Sequence, residues 1–108
     1  MTVAECKAML DTLDIPVFYD HGDNGTRVPY ITYTLTQDNN FFADNKVYQK
    51  IQTLRIVLYT MKRDESLMEQ LEAVLSDHEI PWSQDETYQG TGDSKVYMEI
   101  YEGGFING

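Results

Sequence analysis

One cysteine, Cys6, rules out an internal disulfide, and with only two histidines the chain cannot build the Cys/His sets that zinc takes. No metal or cofactor is therefore expected. No apolar run approaches the ~18 residues of a membrane span. The N-terminus, Met-Thr-Val-Ala-Glu, has neither a basic n-region nor an apolar h-region, so the expected compartment is a cytoplasm. Basic residues are scarce: eight against eighteen acidic ones give a formal net charge of −10 and a pI near 4.3. A surface of that sign repels phosphate backbones, which excludes general nucleic-acid binding. The acids are scattered, with no run of five, as on an ordinary solvated surface.

Catalytic signatures are missing too. There is no Walker or Rossmann glycine loop and no G-x-S-x-G, and Gly90-Thr-Gly92 reads as a hairpin turn. Asp20-His-Gly-Asp-Asn-Gly25 is a poor calcium loop, because Gly22 stands where the third-position acid belongs and Ile31 where the twelfth-position Glu belongs. Neighbouring acids such as Asp64-Glu65 and Asp85-Glu86 are expected from composition alone. Nucleophile, base and oxyanion hole are all unsupported, so the chain is read as a non-enzyme.

What is present is one core's worth of patterned sequence. At 108 residues the chain buries roughly two-thirds of its unfolded surface and is expected to form a single domain over 1–108, with 104–108 a flexible tail. Thr53 to Tyr59 is the strongest strand: Leu54, Ile56 and Leu58 share one side, with Arg55, Val57 and Tyr59 on the other. A helical pattern flanks it on each side. Thr2 and Glu5 have the form of a capping box ahead of Cys6, Met9, Leu10 and Leu13, predicting a helix over 2–14. Asp64 caps a second helix with Leu67, Leu71, Val74 and Leu75 as its buried stripe, and His78 closes its last turn.

The remaining strands follow by alternation. Val17 to Asp20 is short, and the turn signal at Asn24-Gly25 predicts a hairpin into Ile31, Tyr33 and Leu35, which alternate with threonines. Gln37 to Lys46 reads as a loop around Phe41-Phe42, and Val47 to Met61 as an overlong strand whose polar first half leaves the core. The expected picture is a long hairpin whose distal end projects beyond the sheet and carries the two phenylalanines. Trp82 to Tyr88 is a weak strand. Val96, Met98 and Ile100 are read as the buried side of a last strand that Gly103-Gly104 ends, with Tyr97, Tyr101 and Tyr59 on the outer face.

The two halves echo one another. The shift that carries Ile15-Pro16 onto Ile80-Pro81 also carries Leu10 onto Leu75, and Ile31, Tyr33 and Leu35 onto Val96, Met98 and Ile100. The fold class expected is α+β: two helices on one face of a mainly antiparallel sheet of about five strands, in the order α-β-β-β-α-β-β, with a long hairpin between the second and third strands.

Asp44-Asn-x-x-Tyr48, then Leu58-Tyr-Thr-x-Lys62-x-Asp64, then Glu69-x-Leu71-Glu72-x-x-Leu75 run on into Glu79-Ile-Pro-Trp82, Glu86-Thr-Tyr88 and Lys95-Val-Tyr-Met-Glu-Ile-Tyr101-Glu. In these stretches the chain resembles tail-terminator and tail-completion (head–tail joining) proteins of long-tailed phages and Gram-positive prophages. The resemblance implies a structural subunit, assembled in the bacterial cytoplasm and carried in the virion, that forms a hexameric ring at the head-proximal end of the tail tube. Its implied partners are copies of itself, the tail-tube protein and the neck or head-completion proteins, with no membrane and no sequence-specific nucleic acid. Phe41, Phe42, Asp44, Asn45, Tyr48 and Ile51 are then the candidate interface. The alternatives are another connector or neck protein and an acidic DNA-mimic inhibitor.

Overall fold

Capping chemistry starts both helices where the sequence places them. In the computed structural model, which describes residues 2–22, 28–43, 46–90, 92 and 95–107 (the side chains of 37–51 and 105–107 excepted), the Thr2 hydroxyl accepts from the Glu5 amide at 3.1 Å to open α1, Val3–Asp11. The Asp64 carboxylate accepts from the Leu67 amide at 3.0 Å to open α2, Glu65–Asp77. Both helices stop alike: a residue with positive φ, Asp14 at 60° and Glu79 at 57°, precedes an Ile-Pro pair. After α2 the Glu79 amide bonds the Ser76 carbonyl and the Ile80 amide the Leu75 carbonyl, a Schellman closure that turns Ile80 into the core.

The strands are β1 (Val17–Tyr19), β2 (Tyr30–Ala43), β3 (Lys46–Thr60), β4 (Ser83–Gln89) and β5 (Val96–Asn107), in one sheet of order β1-β2-β3-β5-β4. The class is α+β, with a mostly antiparallel sheet. Leu54, Ile56 and Leu58 of β3 and Ile31 and Tyr33 of β2 face the helices. There they join Cys6, Met9, Leu10 and Leu13 of the first helical segment and Leu67, Met68, Leu71 and Leu75 of α2 in a continuous core.

Three expectations are corrected. β1 and β2 do not form a hairpin: they pair in parallel, Val17 beside Ile31 and Tyr19 beside Tyr33. The connection over 20–29 is longer than a tight turn and β1 has three residues, so the chain returns to the start of β1 and runs alongside it. Gly103-Gly104 does not end β5, which continues to Asn107 against β3. Gly103 is instead a point of close approach, where an added Cβ would collide with the Pro81 carbonyl oxygen. And residues 37–43, read as loop, continue β2, with bulges between Thr36 and Asn39 and between Phe41 and Phe42.

The last strand also has inverted parity. Its register sets Tyr101 opposite Ile56 and Glu99 opposite Leu58, so Tyr97, Glu99 and Tyr101 take the helix side, while Val96, Met98 and Ile100 lie on the outer side. Tyr101 and Glu99 are fully buried. The echo between the halves therefore holds for the helix stops and fails for the strands: β1 and β2 run parallel where β4 and β5 run antiparallel, and buried parity is reversed.

Leu71 and Leu58 are both completely buried in this core. Leu71→Ala or Leu58→Ala should each cost about 2–5 kcal/mol, a large share of a small domain's stability, and denaturant melts read this directly. A loss below about 1 kcal/mol would show that these side chains do not carry the core.

Candidate interaction surface

β3 is paired on both sides for most of its length, with β2 from Tyr59 to Lys46 and with β5 from Thr60 to Lys50. Fifteen residues at ~3.3 Å each span about 50 Å, far more than two helices of nine and thirteen residues can cover. The surplus emerges as an arm built from the distal parts of β2, β3 and β5. It stretches the molecule to 57 × 25 × 23 Å, with a radius of gyration of 15.4 Å against about 13 Å for a compact chain of this length. The arm has three strands at its base, where β5 joins the hairpin.

The interface candidates fall on this arm. Backbone pairing sets Phe41 opposite Gln49, Phe42 opposite Val47, and Ile51 between Asn39 and Ile106; Tyr48 lies on β3 beside them. The contacts proposed for the side chains of Phe41, Phe42, Tyr48 and Ile51 lie outside the described residues, as do Asp44 and Asn45 altogether.

At the core end, the outer sheet face carries a half-buried apolar band around the buried Thr32. Tyr30 stacks on Tyr59 with ring centroids 4.5 Å apart, Phe18 meets Tyr30 edge-on at 6.1 Å, and Val57, Met98 and Ile100 lie half-buried beside them. Tyr59 and the threonines stand on this face as expected. Tyr97 and Tyr101 do not, because the register of β5 turns them inward, and Met98 and Ile100 take their place.

The inward turn of β5 places polar groups under α2. The Tyr101 hydroxyl donates to Glu72 Oε2 at 2.7 Å, and Trp82 packs edge-on against the Tyr101 ring at 5.4 Å. Gln84 Nε2 donates to Glu99 Oε2 at 2.7 Å, and Arg63 Nε lies 3.1 Å from Glu86 Oε2. Glu99 Oε1 is buried with no hydrogen-bond partner among the described residues. Burial first, and then the adjoining Glu86 carboxyl, push the Glu99 carboxyl up to about 7, opposed by Gln84 and Arg63. A proton on Oε1 would turn that orphaned acceptor into a donor toward Glu86. Burial, and the bond to Glu72, likewise raise the Tyr101 hydroxyl.

Other reactive groups have structural roles. His78 Nδ1 lies 2.9 Å from the Val74 carbonyl and closes α2, while exposed His21 sits beside Asp20. Burial pushes the Cys6 thiol up to about 11, leaving it protonated and inert. A groove of about 500 Å³ opens between Val28-Pro29 and the segment from Thr60 to Glu65. Among the described residues, no helix is long and apolar enough to cross a membrane. Searches of known protein families and of characterised proteins find no match to this chain.

The half-buried outer face left a trace in the sequence as Val57 and Tyr59, but the apolar side of β5 was assigned to the core. The carboxyl cluster had no signal, since Glu99 resembles any of eighteen acids until the register places it under α2.

Glu99 yields a pH prediction. Its native pKa lies above the ordinary carboxylate value, so its contribution to stability is fullest at low pH and is lost as pH rises from about 4.5 to about 7. Stability should fall by the order of 2 kcal/mol across that interval, and Glu99→Gln should flatten the fall. Denaturant midpoints of both proteins from pH 5 to 8 test this. Parallel curves would show that Glu99 does not titrate there.

Proposed function

We propose that this protein is a structural subunit of a long-tailed phage or prophage particle, closing the head-proximal end of the tail tube as a hexameric ring and joining it to the neck. The resemblance from Asp44 onward points to that role, and the observation that carries it is the arm. A domain of this size needs no 57 Å axis to make a core, and the arm is where the resemblance would place contacts with partners. The half-buried band of Tyr30, Val57, Tyr59 and Met98 supplies a second apolar surface that assembly could bury further. The net charge of −10 fits the same role, because acidic subunits around a channel let DNA pass without adhering.

The DNA-mimic alternative needs carboxylates ranked along one free face, and α2 is the element that could offer them. Glu72 is engaged by the Tyr101 hydroxyl and Glu65 lies 3.5 Å from Arg63, which breaks that row. A neck or connector subunit remains within the same reading and differs in its neighbours along the head–tail joint.

The test is made in the producing phage. Phe41→Ser with Phe42→Ser should shift the melting midpoint of the purified protein little, while filled heads accumulate unjoined beside abnormally long or uncapped tails in electron micrographs. A stable double variant that still yields infectious particles would overturn the assembly role of the arm. A loss of several kcal/mol would assign both rings to the core instead.

A further inference from the structure

The sheet has two free edges, and they match. Among the described residues the strand outside β2 is β1, which pairs with Ile31 to Tyr33; from Thr34 to Ala43 no described residue pairs with that edge. On the other side, β4 stops pairing where Ser83 meets Glu102 and Gly103 backs onto Pro81. Gly104 to Asn107 are thus paired with β3 alone. The open edges lie at the same level, since Thr36, Thr53 and Gly104 form one row across the sheet. β2 and β5 each run antiparallel to β3 and are therefore parallel to one another.

We propose that copies of this chain join edge to edge along their arms, the free end of β5 in one copy pairing in parallel with the free stretch of β2 in the next, with the two cores splayed apart because β4 of one copy and β1 of the other both flank the sheet at the level of Leu58. The inference rests on the ring reading above and names the joint within it. A neighbour displaced sideways without inversion keeps its strand direction, so its β2 arrives parallel to β5, in the sense of the pairing that β2 already makes with β1. Such a contact is head-to-tail, using a different edge on each partner, and it closes into a ring when the sheet curves. The bulges at Thr36/Asn39 and Phe41/Phe42 supply local bending on the strand concerned.

Apart from the two bulges, the edges carry few of the usual guards. Thr34 to Ala43 contains one charge, Asp38, and no Lys or Pro, and Phe105-Ile-Asn107 contains none of these. A soluble chain that leaves ten strand residues open without such protection presents a template for another strand. A second copy is the occupant these observations favour, because one sheet carries both halves of the joint at the same level.

Cysteine-specific crosslinking distinguishes the arrangements. Thr36→Cys and Gly104→Cys proteins are prepared separately, mixed, and assembled on tubes of the major tail protein of the producing phage, then treated with a bis-maleimide of about 10 Å reach, which tolerates a slip of about three residues. Cys6, buried and with a raised pKa, should leave the wild-type control uncrosslinked. Crosslinked dimer is expected in the mixture and in neither variant alone. Dimer from Thr36→Cys alone would indicate an inverted β2-to-β2 pairing and overturn the proposal, as would rings on tubes without mixed crosslinks. Absence of rings refutes the functional reading instead, and mixed crosslinks formed at high concentration without tubes would still uphold the edge joint. Thr34→Cys and Asn107→Cys replace either variant that fails to fold.

Discussion

The rest of this molecule depends on the double pairing of β3. A strand bonded on both edges over nearly all of its length cannot change register without breaking two ladders, so β3 fixes the side-chain parity of β2 and β5 together. Leu54, Ile56 and Leu58 settle which face goes to the helices, and every neighbour inherits the decision. Tyr33 comes in on β2, with its hydroxyl 3.3 Å from the Val3 carbonyl of α1. Tyr101 and Glu99 come in on β5 for the same reason, although one is amphipathic and the other ionisable.

That inheritance explains what could be read from the chain and what could not. Helix starts and stops are local: the Thr2 and Asp64 caps and the two Ile-Pro breaks need only a few neighbouring residues, and all stand where the sequence places them. β3 and the first part of β2 are legible because one side of each is clearly more apolar. β5 presents two half-apolar sets, Val-Met-Ile against Tyr-Glu-Tyr, and alternation alone selects the more hydrophobic one. The structure selects the other because the register with β3 requires it, and the aromatic rings fill space that shorter side chains would leave open. Tyr101 then satisfies its hydroxyl at Glu72, which removes much of the cost of burying it.

The β1–β2 crossover was illegible for another reason. Asn-Gly is a strong hairpin signal, but it reports a turn and not the distance over which the chain doubles back. Gly103 shows the same ambiguity. Two adjacent glycines resemble a terminus, whereas here one of them is required by the Pro81 carbonyl and the strand continues past it. Of the candidate interface, the existence of an arm was legible from strand length, since residues with no partner in the core must lie beyond it. The third strand at its base was not.

The same strand thus divides its work along its length. From Leu54 to Thr60, β3 lies under two helices, where removing a methylene costs stability, and Gln52 beside it is still buried; toward Lys46 the strand runs on, paired with β2 and, as far as Lys50, with β5. Backbone pairing on both edges carries the strand outward, and in the proposed role this extension is what presents an edge and a tip to partners. A projecting arm of apolar and amide residues would be a hazard on a free protein. The strong negative charge of the whole chain offsets this by keeping free copies apart, and in the proposed ring a fixed partner would overcome that repulsion by aligning several edges at once. On that proposal, charge and edge together favour assembly at a template over spontaneous association in solution.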